Sequence, residues 1–338
     1  MQVRTPPPLV SAWHVWIDKS AAEHLGVAVR AIWTIGERGR LSLLATPPPY
    51  QPVDECVGEP GLSSVRYEAD TGPLKPGTDC ALVGSAVAPK GRASRVDVSF
   101  RVGPVAKRAR VVGERKRLFW LLRWWNTPAA SFARVPLVWE RAAGGTDETP
   151  KNPKKHSLDP RNPYGRGFRA RGSKLPGAGA LLPQVLAPGG CLPLGRGREP
   201  AGFGLTGPQW KHRRPFVGTY DDAWLNERCP LLPLDFDERF HLAAAPGLSS
   251  PEPLAGGEPV EVRGCTPSGR LAFELPVLEP QASATLEGEP EPVPLSLATV
   301  TVDTDAMQLR MLWRGALNVH GRVLKLRRID VRAEGLST

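Results

Sequence analysis

Cysteine is scarce, and no arrangement of it points to chemistry. The 338 residues hold five, Cys56, Cys80, Cys191, Cys229 and Cys265, with no CxxC pair and no histidine at metal-site spacing. A sparse, odd set of thiols argues against a disulfide framework and fits reduced thiols in a cytoplasmic location. Long apolar runs are missing too. The most apolar stretch, LFWLLRWW from Leu118, is too short to cross a bilayer and carries Arg123 inside it. The opening MQVRTPPPLV lacks an apolar signal core, so no membrane partner is expected. The six histidines stand apart in sequence, and HExxH, GxSxG and P-loop patterns are absent. No catalytic residue, metal or cofactor is assigned, and the chain is read as a non-enzyme.

What is abundant is punctuation. Thirty-seven prolines and 35 glycines against a hydrophobic content of 41% favour many turns and short strands over long helices. WHVWIDK, LGVAVRAIWTIG and RLSLLA read as strands, with a hairpin connection at residues 36–39, where two glycines permit positive φ. In RVDVSFRV the alternation puts Val96, Val98, Phe100 and Val102 on one face. PVEVRGCTPSGRLAFELP predicts a hairpin turning at residues 266–269, and LSLATVTVDTDAMQLRMLWRG a second turning at 303–305. The expected fold is mainly β: two packed antiparallel β-rich units, sandwich-like or barrel-like, at residues 1–142 and 201–338. Residues 143–200, rich in Gly, Pro, Lys and Arg, are the connecting loop between them.

The formal net charge of +10 raises nucleic acid as a partner. Lys151, Lys154, Lys155, Arg161, Arg166, Arg169, Arg171 and Lys174 would supply the contact, with Tyr164 and Phe168 to stack bases. The basic residues are intermixed with acids along the chain, so a solvated surface is preferred to a nucleic-acid partner. Two other patterns suggest chemistry and are set aside. Gly202, Gly204 and Gly207 fit GxGxxG but lack the strand and helix a dinucleotide site needs. Asp303 and Asp305 could hold a hard cation, yet sit where a turn is expected. A carbohydrate-active enzyme using Asp221, Asp222 and Glu227 is a minor alternative.

Residues 202–246 are the densest run of aromatics, prolines and charges. Thr219 is expected to cap a short helix over residues 220–228, which Pro230 and Pro233 end. Ala223, Trp224 and Cys229 would face inward, and Leu231, Leu232, Leu234 and Phe236 follow on an irregular segment. The bland reading of these anchors is a cap on the chain's own core. The alternative is a contact surface for another protein.

The run GFG, then GTYDDAWLNERCPLLPLDFD, resembles the signature of a domain-of-unknown-function family encoded in type VI secretion clusters. DCALVGSAVAPKG, FARVPLVWERAAGGT, NPYGRGF, VRGCTPSGRLAFELP and DTDAMQLRMLWRG resemble further family blocks in the same order. Asn226 and Cys229 depart from the more usual acidic and aromatic residues. The resemblance implies an adaptor or chaperone that loads a toxin effector onto the PAAR or VgrG tip of the spike. On that reading Tyr220, Trp224, Leu231, Leu232 and Phe236 would bury apolar cargo surface, while Arg213, Arg214 and Arg228 would steer an acidic partner.

Overall fold

The computed structural model describes residues 2–174, 177–189 and 199–334. The chain is mainly β, with several antiparallel sheets, none closed into a barrel, and one short α-helix among the described residues. The largest sheet has its strands in the order Val10–Ile17, Glu23–Ile35, Gln308–Asn318, Leu295–Asp303 and Asp79–Val83, with Leu41–Leu43 also on Glu23–Ile35. A five-stranded sheet runs Val185–Leu186, Val105–Val112, Arg95–Val102, Pro259–Arg263 and Arg270–Glu274. A four-stranded sheet runs Gln2–Arg4, Arg328–Glu334, Glu279–Thr285 and Glu291–Val293.

Each of these sheets combines strands from both ends of the chain. Glu23–Ile35 pairs along its length with Gln308–Asn318, Val29 facing Trp313, and Arg95–Val102 pairs with Pro259–Arg263. Residues 1–142 and 201–338 are thus interleaved, and neither stretch completes a large sheet of its own. One apolar cluster joins them. It takes Leu25, Val27, Val29 and Trp33 from the largest sheet, and Val98, Phe100, Val102, Val260 and Val262 from the five-stranded one. The alternation of RVDVSFRV is realised, with its four apolar residues buried. Both predicted hairpins form, at residues 263–270 and 303–308.

The other face of the largest sheet is polar, and is set by strand period. Arg30, Arg310 and Arg314 alternate with the core residues of their strands and meet the segment that carries Tyr67, Glu68, Asp70 and Lys75. Residues 143–168 are built as paired structure and not as a bare loop. Ala143–Gly144 pairs with Arg166–Gly167, and Thr146–Asp147 with Ser157–Leu158. The buried Asn162 amide donates to the Trp139 and Ala143 carbonyls, at 2.9 Å each, and so pins NPYGRGF to the body.

Candidate protein-contact surfaces

The helix in the 202–246 run spans Asp222–Glu227, and its cap is Asp221, whose carboxylate accepts the Trp224 amide at 2.8 Å. Thr219 is not the cap. Its amide and hydroxyl both donate to Asp235, at 3.0 and 2.8 Å, closing the loop on itself. Ala223 and Cys229 are exposed, so of the three residues expected to face inward only Trp224 is half-buried. Its indole donates to the Leu231 carbonyl at 2.8 Å and meets Tyr220 edge-on at 4.6 Å.

The predicted anchors divide. Tyr220 and Leu234 are exposed, with Leu225 beside them, and Leu231 and Leu232 are half-buried. Phe236 is 3% exposed and packs on Phe240 and His241, so it serves the chain's own interior. The arginines divide too. Arg213 is buried, donating to the Phe240 and Thr206 carbonyls at 2.9 Å, and cannot reach a partner. Arg228 donates to the Leu232 carbonyl at 2.6 Å and to that of Lys19, while the Lys19 ammonium returns a bond to the Phe236 carbonyl at 2.8 Å. Arg214 stays exposed, with Nε on the Gln209 carbonyl. The segment is therefore fastened at its base and presents Tyr220, Leu225 and Leu234 outward.

A second apolar surface lies where sequence reasoning saw only strands. Arg117–Trp120 and Arg123–Asn126 form an isolated two-stranded hairpin, clamped at its base by the Ala180 and Gly179 main chain. Leu118, Phe119, Trp124 and Trp125 are all exposed along it. At the tip Leu121 and Leu122 are 80% and 89% exposed. Both have positive φ, 46° and 62°, in a two-residue turn that normally selects Asn-Gly because side chains crowd the backbone there. Two exposed leucines in that conformation cost stability and gain no packing within the chain. The Arg117 guanidinium stacks 4.4 Å over Trp124, and Phe119 lies 5.0 Å from the same ring. The signal available in the sequence was three of the ten tryptophans within six residues, in a run that follows Lys116 and Arg117 and contains Arg123.

The carboxylates and the lysine of the polar sheet face are bonded within the chain. A cavity of about 210 Å³ is lined by Glu68, Lys75, Thr206, Arg213, His241 and Arg314 among others. Lys75 bridges Glu68 and Asp79 at 2.8 Å each and donates to Thr299 at 2.8 Å. Burial works against Glu68 ionising, but Arg314 and Lys75 outweigh it and hold the carboxyl down at about 2. A general acid needs the opposite shift. Asp303 is buried and accepts from Tyr67 at 2.5 Å, from Arg66 at 3.0 Å and from the Asp305 and Ala306 amides, as a turn carboxylate does. Among the described residues no three His, Cys, Asp or Glu converge as a metal site.

Gly202 has a packing reason: a Cβ there would lie 2.6 Å from the Trp139 ring, itself edge-on to Trp210 at 4.7 Å. In the basic stretch, Arg161 is paired with Asp159 at 2.8 Å, Arg166 bonds the Glu140 carbonyl at 2.8 Å, and Tyr164 packs on Trp210. Those side chains are committed inward. Lys151, Lys154, Lys155, Arg171 and Lys174 remain exposed or half-exposed.

No helix of the described residues is long and apolar enough to cross a membrane. Neither the curated proteins nor the solved structures hold a match to the chain. A family model does match, over residues 20–314, and its description is "Uncharacterized protein conserved in bacteria (DUF2169)". That span takes in the polar sheet face, the exposed arm and the 202–246 run alike, and the chain belongs to the bacterial DUF2169 family.

Proposed function

We propose that the protein is a non-enzymatic adaptor that works by offering exposed apolar surface to a partner protein. The observation that carries this reading is the arm at residues 117–126, with large apolar side chains exposed along it and a tip of two leucines in a costly conformation. Contiguous exposed apolar area of this kind marks interaction sites, and aromatic anchors dominate binding energy at such sites. Tyr220, Leu225 and Leu234 form a second exposed set. The ordered blocks that resemble a family encoded in type VI secretion clusters support partners of one kind: a toxin effector, with the PAAR or VgrG tip onto which it is loaded.

Co-expression with a type VI toxin effector and a PAAR or VgrG tip protein, followed by affinity capture, tests the reading. The adaptor captures at least one of them. A folded chain that captures neither overturns the proposal.

A further inference from the structure

Among the described residues the outer strands of the three large sheets are covered or cut short, with one exception. The outer side of Asp79–Val83 is occupied, since Cys80 donates to the Leu248 carbonyl at 2.8 Å and Leu82 to that of Phe203 at 3.1 Å. On Arg270–Glu274 the turn at Gly39 sits so close that a Cβ there would lie 2.1 Å from the Ala272 carbonyl oxygen. Glu291–Val293 is three residues long and contains Pro292, Gln2–Arg4 is three residues, and Val185–Leu186 is two. These are the usual defences of an edge. Val10–Ile17 has none of them. It is eight residues long, reads VSAWHVWI with no lysine, proline or glycine, and among the described residues its main chain pairs with Glu23–Ile35 alone.

Its side chains repeat the asymmetry. Trp13 and Val15 stand opposite Val27 and Leu25, on the face that forms the core. Those partners are buried, yet Trp13, Val15 and Ile17 are exposed, so the apolar row runs on past the end of the core. On the other face His14 stacks on Trp16, and Trp16 on His24, above Gly26, where a Cβ would strike both rings of the first pair. The strand is thus held flat from behind and open at its edge.

We propose that this edge accepts an extended strand from the partner protein, lengthening the largest sheet by one strand. Unpaired main-chain donors and acceptors demand a β-strand and no other element. The row of Trp13, Val15 and Ile17 asks that strand for apolar residues at alternate positions on its core-side face. Charge adds a third requirement. At the turn after Ile17, Asp18, Asp235, Asp237 and Glu238 gather round Lys19. The fixed cations beside them are three, Lys19, Arg228 and Arg239, so four carboxylates stand against three cations and one negative charge is in excess. The incoming strand therefore carries a basic residue at that end. The inference deepens the adaptor reading and rests on it for the partner's identity, but its geometry is tested separately.

The probes are synthetic twelve-residue peptides with valine at alternate positions and lysine, glutamate or a neutral residue at one end, titrated onto the full chain. The lysine-ended peptide binds, slows amide exchange over residues 10–17, and binds about tenfold more weakly, or worse, to the Trp13→Lys, Val15→Lys double variant. Methylating the peptide amides of one alternate set abolishes binding, whereas methylating the other set does not, as main-chain pairing on one side requires. Trp13 and Val15 are each 38% exposed, so the variant stays folded at the assay temperature, and its amide exchange in Glu23–Ile35 and Gln308–Asn318, matching the parent's, shows that the weaker binding is not unfolding.

Failure of every peptide to bind, or binding that ignores the variant and protects another segment, overturns the inference. So does a chain that self-associates through this edge and becomes monomeric in the variant, since the occupant is then a second copy. Capture of a toxin by the edge variant at full strength, with no peptide binding, sinks strand addition and leaves the adaptor reading standing. Peptide binding with no protein captured does the reverse.

Discussion

The surroundings of Lys75 and the arm at residues 117–126 invert the ordinary partition of residue types in opposite directions. Around Lys75 the chain buries ions, and every one has a partner. Lys75 holds Glu68 and Asp79, Asp79 accepts the Ala243 amide and the Ser249 hydroxyl, and Arg30 grips Asp70 with both carboxylate oxygens at 2.9 and 2.7 Å. On the arm the chain exposes tryptophan and leucine, and nothing among the described residues covers the tip. Satisfied ions inside fix one arrangement of the segment over the sheet. Uncovered apolar groups outside do nothing for the folded chain, and the proposed function gives them a use in contact with a partner. A cluster of charge is therefore a poor guide to function here, and a cluster of exposed aromatics a better one.

The comparison breaks first at Lys75. Replacing it by methionine leaves Asp79 buried without its cation and Glu68 with Arg314 alone, and stability to denaturant falls by about 3–5 kcal/mol. A loss below about 1 kcal/mol would mean that the network is solvated and not structural. Next in size is Trp139, fully buried against Trp210 with its indole on the Leu205 carbonyl at 2.9 Å. Trp139→Ala costs about 3–5 kcal/mol by cavity formation, less whatever collapse Gly202 allows, and a calorimetric melting shift reads it.

Acid sharpens the contrast further. Burial drives His212 and His241 down to about 4, with Arg213 adding to the effect, from an ordinary 6.5. As pH falls from 6.5 towards 4 the unfolded chain takes up these protons and the folded chain does not. Stability is therefore full above 6.5 and declines through that window, on the order of 1 kcal/mol per pH unit for each ring. Glu68, held ionised to about 2, adds a further loss below an ordinary 4.5. In chemical denaturation at stepped pH, the double variant His212→Gln, His241→Gln flattens the decline between 6.5 and 4 and leaves the lower one in place.

Much of the fold was legible, and the reason is local. A strand of period two, such as Arg95–Val102, declares its buried face in four alternate residues, and glycines and aspartates mark the turns at residues 266–269 and 303–305. Pairing was not legible. Nothing in LGVAVRAIWTIG says that its neighbour lies at Gln308–Asn318, so two separate units were the natural expectation where the chain interleaves them. The helix cap was misplaced because Thr219 and Asp221 are both good caps, and the tie to Asp235 that occupies Thr219 is a tertiary contact.

The surfaces were half legible. Residues 219–236 advertised apolar anchors, but sequence could not tell Leu234, which faces out, from Phe236, which faces in. The run LFWLLRWW stood out in the sequence only as the most apolar stretch, too short to cross a bilayer. Only the pairing of its two halves with each other, and with no third strand, turns it into an arm.

The smallest effect on stability is paired with the largest on function, and it decides the account. Leu121→Asn, Leu122→Gly puts the preferred residues into the tip turn, and stability rises by about 1 kcal/mol as the positive-φ cost is relieved. Measured side by side, the melting temperature and the yield of captured toxin or tip protein should move in opposite directions, the first up and the second down at least tenfold. Unchanged capture by the more stable variant would contradict the claim that this arm is kept exposed for a partner.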